Sequence, residues 1–255
     1  MNLPENAFKR AILAGRQQVG LWCMLPGGFV TEALAGAGFD WLLLDTEHSP
    51  ADVLTVLPQL QAAAAYDVSP VVRPASNDPV LIKRLLDCGA QSLLIPYVQS
   101  AEEAAAAVAA MRYPPAGIRG VAGLTRASRF GRVEGYARRA EEELCLLVQV
   151  ETRASLDAIE AIAAVEGVDG IFIGPGDLSA SLGHPGELFH PEVIAAIEDA
   201  IRRVRSAGKA AGILTYDITF ARRCMELGTL FTAVGADLSI LLRGVEGLAG
   251  EFKPG

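Results

Sequence analysis

Short apolar runs recur along the whole chain, and stretches of helical periodicity separate them. The runs lie at about 19–24, 41–45, 69–73, 92–96, 145–150, 170–173, 210–214 and 230–234, behind an opening helix near 6–14. Most are continuously apolar instead of alternating, the pattern of strands buried on both faces in a parallel sheet. Helix-start signals sit between them. Ser49-Pro50-Ala51-Asp52 reads as an N-cap followed by proline, Asn77-Asp78-Pro79 opens a helix that ends at Gly89, and Ser100-Ala101-Glu102-Glu103 leads into an alanine-rich run to Met111. His190-Pro191-Glu192 starts a helix ending near Gly208, so His190, like His184 in the loop before it, is expected as a cap or loop residue.

Eight strands alternating with helices predict an α/β fold, a single closed (β/α)8 barrel of the TIM type over residues 1–255, with an N-terminal helix in front. One stretch breaks the rhythm. Residues 112–143 carry Pro114, Pro115 and five glycines, with Arg119, Arg126, Arg129, Arg132, Arg138 and Arg139. A loop this long in a compact domain is expected to be functional, as an active-site or a subunit-contact loop.

Four polar clusters follow predicted strands directly: Asp45-Thr46-Glu47-His48, Arg73-Pro74, Gln149-Val150-Glu151-Thr152 and Gly174-Pro175-Gly176-Asp177. In a parallel barrel the carboxyl ends of the strands share one rim, where active sites are built. Glu151 and Asp177 would then stand on adjacent strand ends, where two carboxylates repel unless a cation sits between them. Oxygen donors select a hard divalent ion, Mg2+ or Mn2+ first, with Co2+ or Zn2+ as alternatives. Either residue alone could instead be a first-turn carboxylate of the following helix. The turn around Gly176 exposes backbone N–H groups to an anion such as a carboxylate. Arg73 could stabilise a developing oxyanion or only balance the acids. His48 is the rim's proton-transfer candidate, with Asp45 three residues earlier expected to orient its ring.

Lysine usage narrows the chemistry. A Schiff-base mechanism needs a desolvated lysine inside the barrel, but only Lys9, Lys83, Lys209 and Lys253 exist, in the termini, within a helix, or before the seventh strand. Charge narrows the partners. A net charge of −8 argues against a nucleic-acid partner, and 51% hydrophobic residues with few aromatics suit alanine-rich helices over buried strands. No run approaches a membrane span, Met1–Arg10 has no apolar signal core, and Cys23, Cys88, Cys145 and Cys224 are dispersed, so a cytoplasmic protein with reduced thiols is expected.

Leu-Leu-Leu-Asp-Thr-Glu-His-Ser-Pro (42–50), Val-Arg-Pro (72–74), the segment 82–96, Tyr-Pro-Pro-Ala-Gly-Ile-Arg-Gly (113–120), Gln-Val-Glu-Thr (149–152) and Gly-Pro-Gly-Asp-Leu-Ser (174–179) together resemble the HpcH/HpaI aldolase family over nearly the whole chain. The resemblance implies a divalent-metal-dependent aldolase that reversibly cleaves 4-hydroxy-2-keto acids to pyruvate, or hydroxypyruvate, and an aldehyde through a metal-stabilised enolate. It implies Glu151 and Asp177 as metal ligands, Arg73 at the enolate, and His48 with Asp45 in proton transfer at the aldehyde oxygen. Gln149 would line the pyruvate pocket, and the amides of Gly176 and Asp177 would hold the carboxylate. It also implies a homohexamer, a trimer of dimers, in which Asp87 reaches a neighbouring subunit's site. Val121-Ala122-Gly123-Leu124-Thr125 departs from the common family run, in a loop expected to shape the aldehyde side. Two rival readings stand beside this one: a citrate-lyase-like acyl-CoA C–C lyase, and a non-catalytic 2-keto-acid-binding barrel.

Overall fold

A computed structural model describes residues 1–253 and contains β1 (Gln18–Cys23), β2 (Trp41–Asp45), β3 (Ser69–Arg73), β4 (Ser92–Ile95), β5 (Cys145–Val150), β6 (Gly170–Ile173), β7 (Ala210–Leu214) and β8 (Thr229–Ala236). Neighbouring strands are parallel and β1 pairs with β8, which closes the barrel. Every strand falls within two residues of its expected position.

Alternation along the strands sorts their side chains into two cores. Trp41 and Leu43, Val71, Cys145 and Leu147, and Phe172 point into the barrel, while Leu42, Leu44, Val72, Leu146, Val148, Ile171 and Ile173 pack outward against the helices. The Ala7–Leu13 helix, capped by the Asn6 side chain on Lys9 N–H, closes the amino end of the barrel. Its Phe8 packs on Trp41 and Phe231 with ring centroids 5.7 and 5.9 Å away. Burying a side chain of this size contributes about 1.5–3 kcal/mol. Space for the large rings comes from glycine: a Cβ at Gly20 would lie 2.2 Å from the Trp41 ring, and one at Gly212 would lie 2.1 Å from Phe231.

Most helix starts follow the sequence signals. Asp78 accepts from Val80 and Leu81 N–H ahead of the Pro79–Asp87 helix, Ser100 from Glu103 N–H, and His190 from Glu192 N–H with Pro191 in the first turn. The start at 49–52 is corrected. Asp52, not Ser49, caps the Val53–Ala63 helix, in a reciprocal box with Thr55, while the Ser49 hydroxyl donates to the Asp45 carbonyl.

Residues 112–143 are also placed differently from the expectation. They follow the Ala101–Met111 helix and lead into β5, so they lie at the amino end of the barrel, opposite the rim that carries Glu151. Arg126 donates to the Cys88 and Leu60 carbonyls there, and Ala127 N–H donates to the Asp87 carbonyl. Within one chain, this loop cannot shape the aldehyde side of its own site.

Candidate active site

The strand alternation that fills the barrel interior also builds the site. Continuing the inward series by two residues from Leu43, Val71 and Leu147 reaches Asp45, Arg73 and Gln149, where the apolar filling ends in a polar layer. Asp45 and Arg73 are register partners on β2 and β3. Arg73 makes a two-pronged pair with Asp45, Nε to Oδ1 at 2.9 Å and Nη2 to Oδ2 at 2.7 Å, and its guanidinium lies 4.8 Å over the Trp22 ring. Such a planar fork fixes the orientation as well as the charge. The Trp22 indole N–H donates to Asp45 Oδ2 at 3.2 Å, and Glu47 N–H donates to Oδ1 at 2.9 Å. Burial pushes the Asp45 carboxyl upward, but the Arg73 hydrogen bonds and charge outweigh it and hold the group below the usual carboxylate range.

These contacts correct the role expected of Asp45. Its oxygens are occupied by Arg73, Trp22 and backbone N–H groups, including that of His48 at 3.4 Å, and not by the imidazole. The carboxylate beside the ring is Glu47, whose Oε2 lies 3.9 Å from His48 Nε2. The His48 side chain is 62% exposed, an accessible base at the mouth of the site. Arg73 Nη1 lies 2.7 Å from Glu47 Oε2 but out of hydrogen-bonding alignment, so that buried oxygen retains an unused lone pair. Burial raises the Glu47 carboxyl above its ordinary range against the pull of Arg73.

At the end of β5, Ser155 Oγ accepts the N–H groups of Glu151 and Thr152 at 3.0 and 2.9 Å, locking the turn in a Thr152–Ser155 capping box. Glu151 is only 2% exposed. Its Oε1 accepts the Tyr97 N–H at 2.8 Å and its Oε2 accepts Gln149 Nε2 at 2.5 Å. Burial pushes its carboxyl up to about 7; the two hydrogen bonds oppose the shift, and the charges of Asp177 and Glu47 add to it. Tyr97 presents its N–H from a left-handed conformation, φ 54°, which costs a side-chain-bearing residue energy and is found where function holds the backbone. Asp177 sits in the first turn of the Pro175–Ser181 helix after β6, close enough to raise both glutamates.

The donor set fits a hard divalent cation. It consists of oxygens, one of its carboxylates is uncomfortably buried without a compensating charge, and Gln149 Oε1 is buried with no hydrogen-bond partner among the described residues. Space is reserved as well. A Cβ at Gly174 would lie 2.5 Å from Glu151 Oε2 and 2.9 Å from Gln149 Nε2, whereas one at Gly176 would meet nothing within 4 Å.

Of the residues expected at the site, Asp45, His48, Arg73, Gln149, Glu151, Gly176 and Asp177 share the rim. Asp87 does not. It ends the Pro79–Asp87 helix at the amino end of the barrel, 2.7 Å from Arg119 Nη2, because that helix runs back from the rim. The lysines stay away too: Lys9 Nζ donates to the carbonyls of Glu141, Glu142 and Leu144, and Lys209 Nζ donates to Val168 O ahead of β7. Sequence reasoning missed Glu47, Trp22 and Tyr97 as site residues. Strand parity from Gly20 could have found Trp22, and Glu47 stood inside a cluster already recognised.

A (β/α)8 barrel whose C-terminal rim joins paired carboxylates, a fixed guanidinium and an open imidazole defines a barrel enzyme. The sequence profile of the HpcH/HpaI aldolase/citrate lyase family matches residues 18–243, and the chain belongs to that family. A pyruvate aldolase of Rhizobium etli is 69% identical over 252 residues, 99% of each chain. A 4-hydroxy-2-oxo-heptane-1,7-dioate aldolase of Klebsiella pneumoniae is 60% identical over 97% of this chain and 94% of its own length. The crystal structure of an HpcH/HpaI aldolase/citrate lyase family protein from Burkholderia cenocepacia superposes with a TM-score of 0.93 at 41% identity, covering 97% of this chain and 99% of that one.

Proposed function

We propose that this chain is a divalent-metal-dependent aldolase that cleaves 4-hydroxy-2-keto acids reversibly to pyruvate, or hydroxypyruvate, and an aldehyde. The observation that carries the reading is the buried Glu151, pushed up to about 7 beside Asp177 and Glu47, two strands round the barrel from the Arg73 fork. Identity of 60–69% to aldolases acting on such compounds supports it. Mg2+ or Mn2+ held by Glu151 and Asp177 would supply positive charge to the keto and carboxylate oxygens of the donor.

The chain's own residues account for the rest. Backbone N–H groups at Gly176 and Asp177 hold the donor carboxylate, and Gln149 lines the pocket beside it. In cleavage, His48 takes the proton of the C4 hydroxyl, the C3–C4 bond breaks, and its electron pair enters the C2–C3 enolate as the aldehyde leaves. Arg73, held rigid by Asp45, stabilises the enolate oxygen; a proton from solvent water added at C3 gives pyruvate, while His48 returns its own proton to solvent. Glu47 beside the ring steadies the imidazolium formed on His48. The test is exchange of the pyruvate methyl protons with deuterated water. Exchange is expected to need divalent metal and Arg73; exchange that survives chelation or Arg73→Ala overturns the mechanism.

A homo-oligomer, with a trimer of dimers as the expected form, belongs to the same reading. It is supported by the Asp237–Phe252 helix, where Ile240, Leu241, Leu242, Val245, Leu248 and Phe252 are 45–80% exposed. Asp87 would serve a neighbouring subunit's site from the amino end of its own barrel. Light scattering that finds a monomer would refute this part alone. A cytoplasmic setting is supported by four free thiols, and no helix among the described residues is long and apolar enough to cross a membrane.

A further inference from the structure

His184, His190 and Glu192 form a second cluster of metal-binding side chains, outside the site described above. The backbone assembles it. After the Pro175–Ser181 helix, Gly183 and Gly186 turn the chain at φ 91° and 82°, and His184 N–H donates to Ser179 O at 2.8 Å. Glu187 N–H donates to His184 O and His190 N–H to Glu187 O, both at 3.0 Å, so the connection folds back and brings the two histidines side by side. Their rings stack with centroids 3.5 Å apart and planes inclined by 17°. His184 Nε2 lies 3.0 Å from Glu192 Oε2, and one donor atom from each of the three residues lies within 4.8 Å of the others. Arg153 Nη2 holds the other Glu192 oxygen at 3.0 Å, which fixes the carboxylate without covering Oε2.

Two imidazoles and a carboxylate whose donor atoms converge in this way are a ligand set. Nitrogen donors favour Zn2+, Ni2+ or Cu2+ over the hard ions suited to Glu151 and Asp177. Three protein ligands leave at least one position to water. Glu192 lies in the first turn of the Pro191–Ser206 helix, and both that helix end and Arg153 oppose a cation, so affinity must come from the nitrogens.

We propose that His184, His190 and Glu192 are a second metal site that binds one Zn2+-like ion and clamps the connection 182–190 onto the helix after it. The test titrates Zn2+ into the full-length Glu151→Gln/Asp177→Asn protein, which removes the oxygen-donor site and makes the result independent of the aldolase reading. One equivalent is expected to bind. Adding His184→Ala, or His190→Asn, which keeps a capping acceptor, should weaken binding at least about tenfold, since even the partners that merely orient a ligand are worth that much. Cu2+ in the same protein should show electron paramagnetic resonance splitting from two nitrogens, reduced to one in each histidine variant. Circular dichroism verifies that each variant is folded. Zn2+ stoichiometry and affinity unchanged by both histidine variants, or a Cu2+ spectrum without nitrogen splitting, overturns the proposal, as would a single exposed His184–Glu192 ion pair that binds no metal.

Discussion

Replacing Glu151 by glutamine separates the electrostatics of the site from its catalysis. The carboxyl has its usual value of 4.5 in the unfolded chain and about 7 in the metal-free folded protein, so between these values the folded state holds the extra proton. Stability conferred by this group is therefore present at low pH and lost as pH rises from about 4.5 to about 7, the reverse of a salt-bridged carboxylate. The difference between the two values corresponds to about 3 kcal/mol, of which roughly 2–3 kcal/mol falls between pH 5 and pH 8. Glutamine cannot ionise, but it turns one amide donor toward either Gln149 Nε2 or the Tyr97 N–H, a fixed cost of about 1 kcal/mol. That cost cancels when the two proteins are compared at two pH values. In urea unfolding with chelator present, the difference in stability, variant minus wild type, should move in favour of the variant by about 2–3 kcal/mol from pH 5 to pH 8. A flat difference, or a change in the other direction, refutes the assignment of Glu151 as an uncompensated buried acid. Saturating Mg2+ should remove the trend by supplying the missing charge.

The remaining expectations concern neighbouring residues. Arg73→Ala leaves Asp45 buried and unpaired and should cost about 3–5 kcal/mol in denaturant unfolding; Arg73→Lys, which keeps the charge but not the fork, should retain more stability while still slowing pyruvate proton exchange. Gly174→Ala drives a methyl group into Glu151 and should weaken Mg2+ or Mn2+ binding by calorimetry and cost about 1–3 kcal/mol, whereas Gly176→Ala, facing open space, should change neither. His48→Asn should lower cleavage of 4-hydroxy-2-keto acids by about 100- to 10,000-fold without lowering the melting temperature, because the side chain is exposed; wild-type turnover by that variant would remove His48 from the reaction.

Much of the architecture was legible in the chain because a strand buried on both faces must be continuously apolar, and because the signals that cap helices are local. Asp78-Pro79 and Ser100 announced their helices through contacts with residues two or three positions away. The lysine positions ruled out a Schiff base for the same reason, since strand order alone fixes which end of the barrel a residue occupies. Partnership was not legible. Asp45 looked like a partner for His48, three residues on, but its geometry is set by Arg73 and Trp22, 28 and 23 residues away, which only barrel closure brings to it. Glu47 and Tyr97 entered the site through contacts that cross strands. The direction of each helix decided the rest: Asp87 ends, and residues 112–143 follow, helices that run back from the rim, so they lie at the opposite end of their own barrel. Sequence alone determined which residues stand at strand ends, because that depends on local pattern; tertiary structure decided which of them touch, because touching depends on inward parity and on closure between strands distant along the chain.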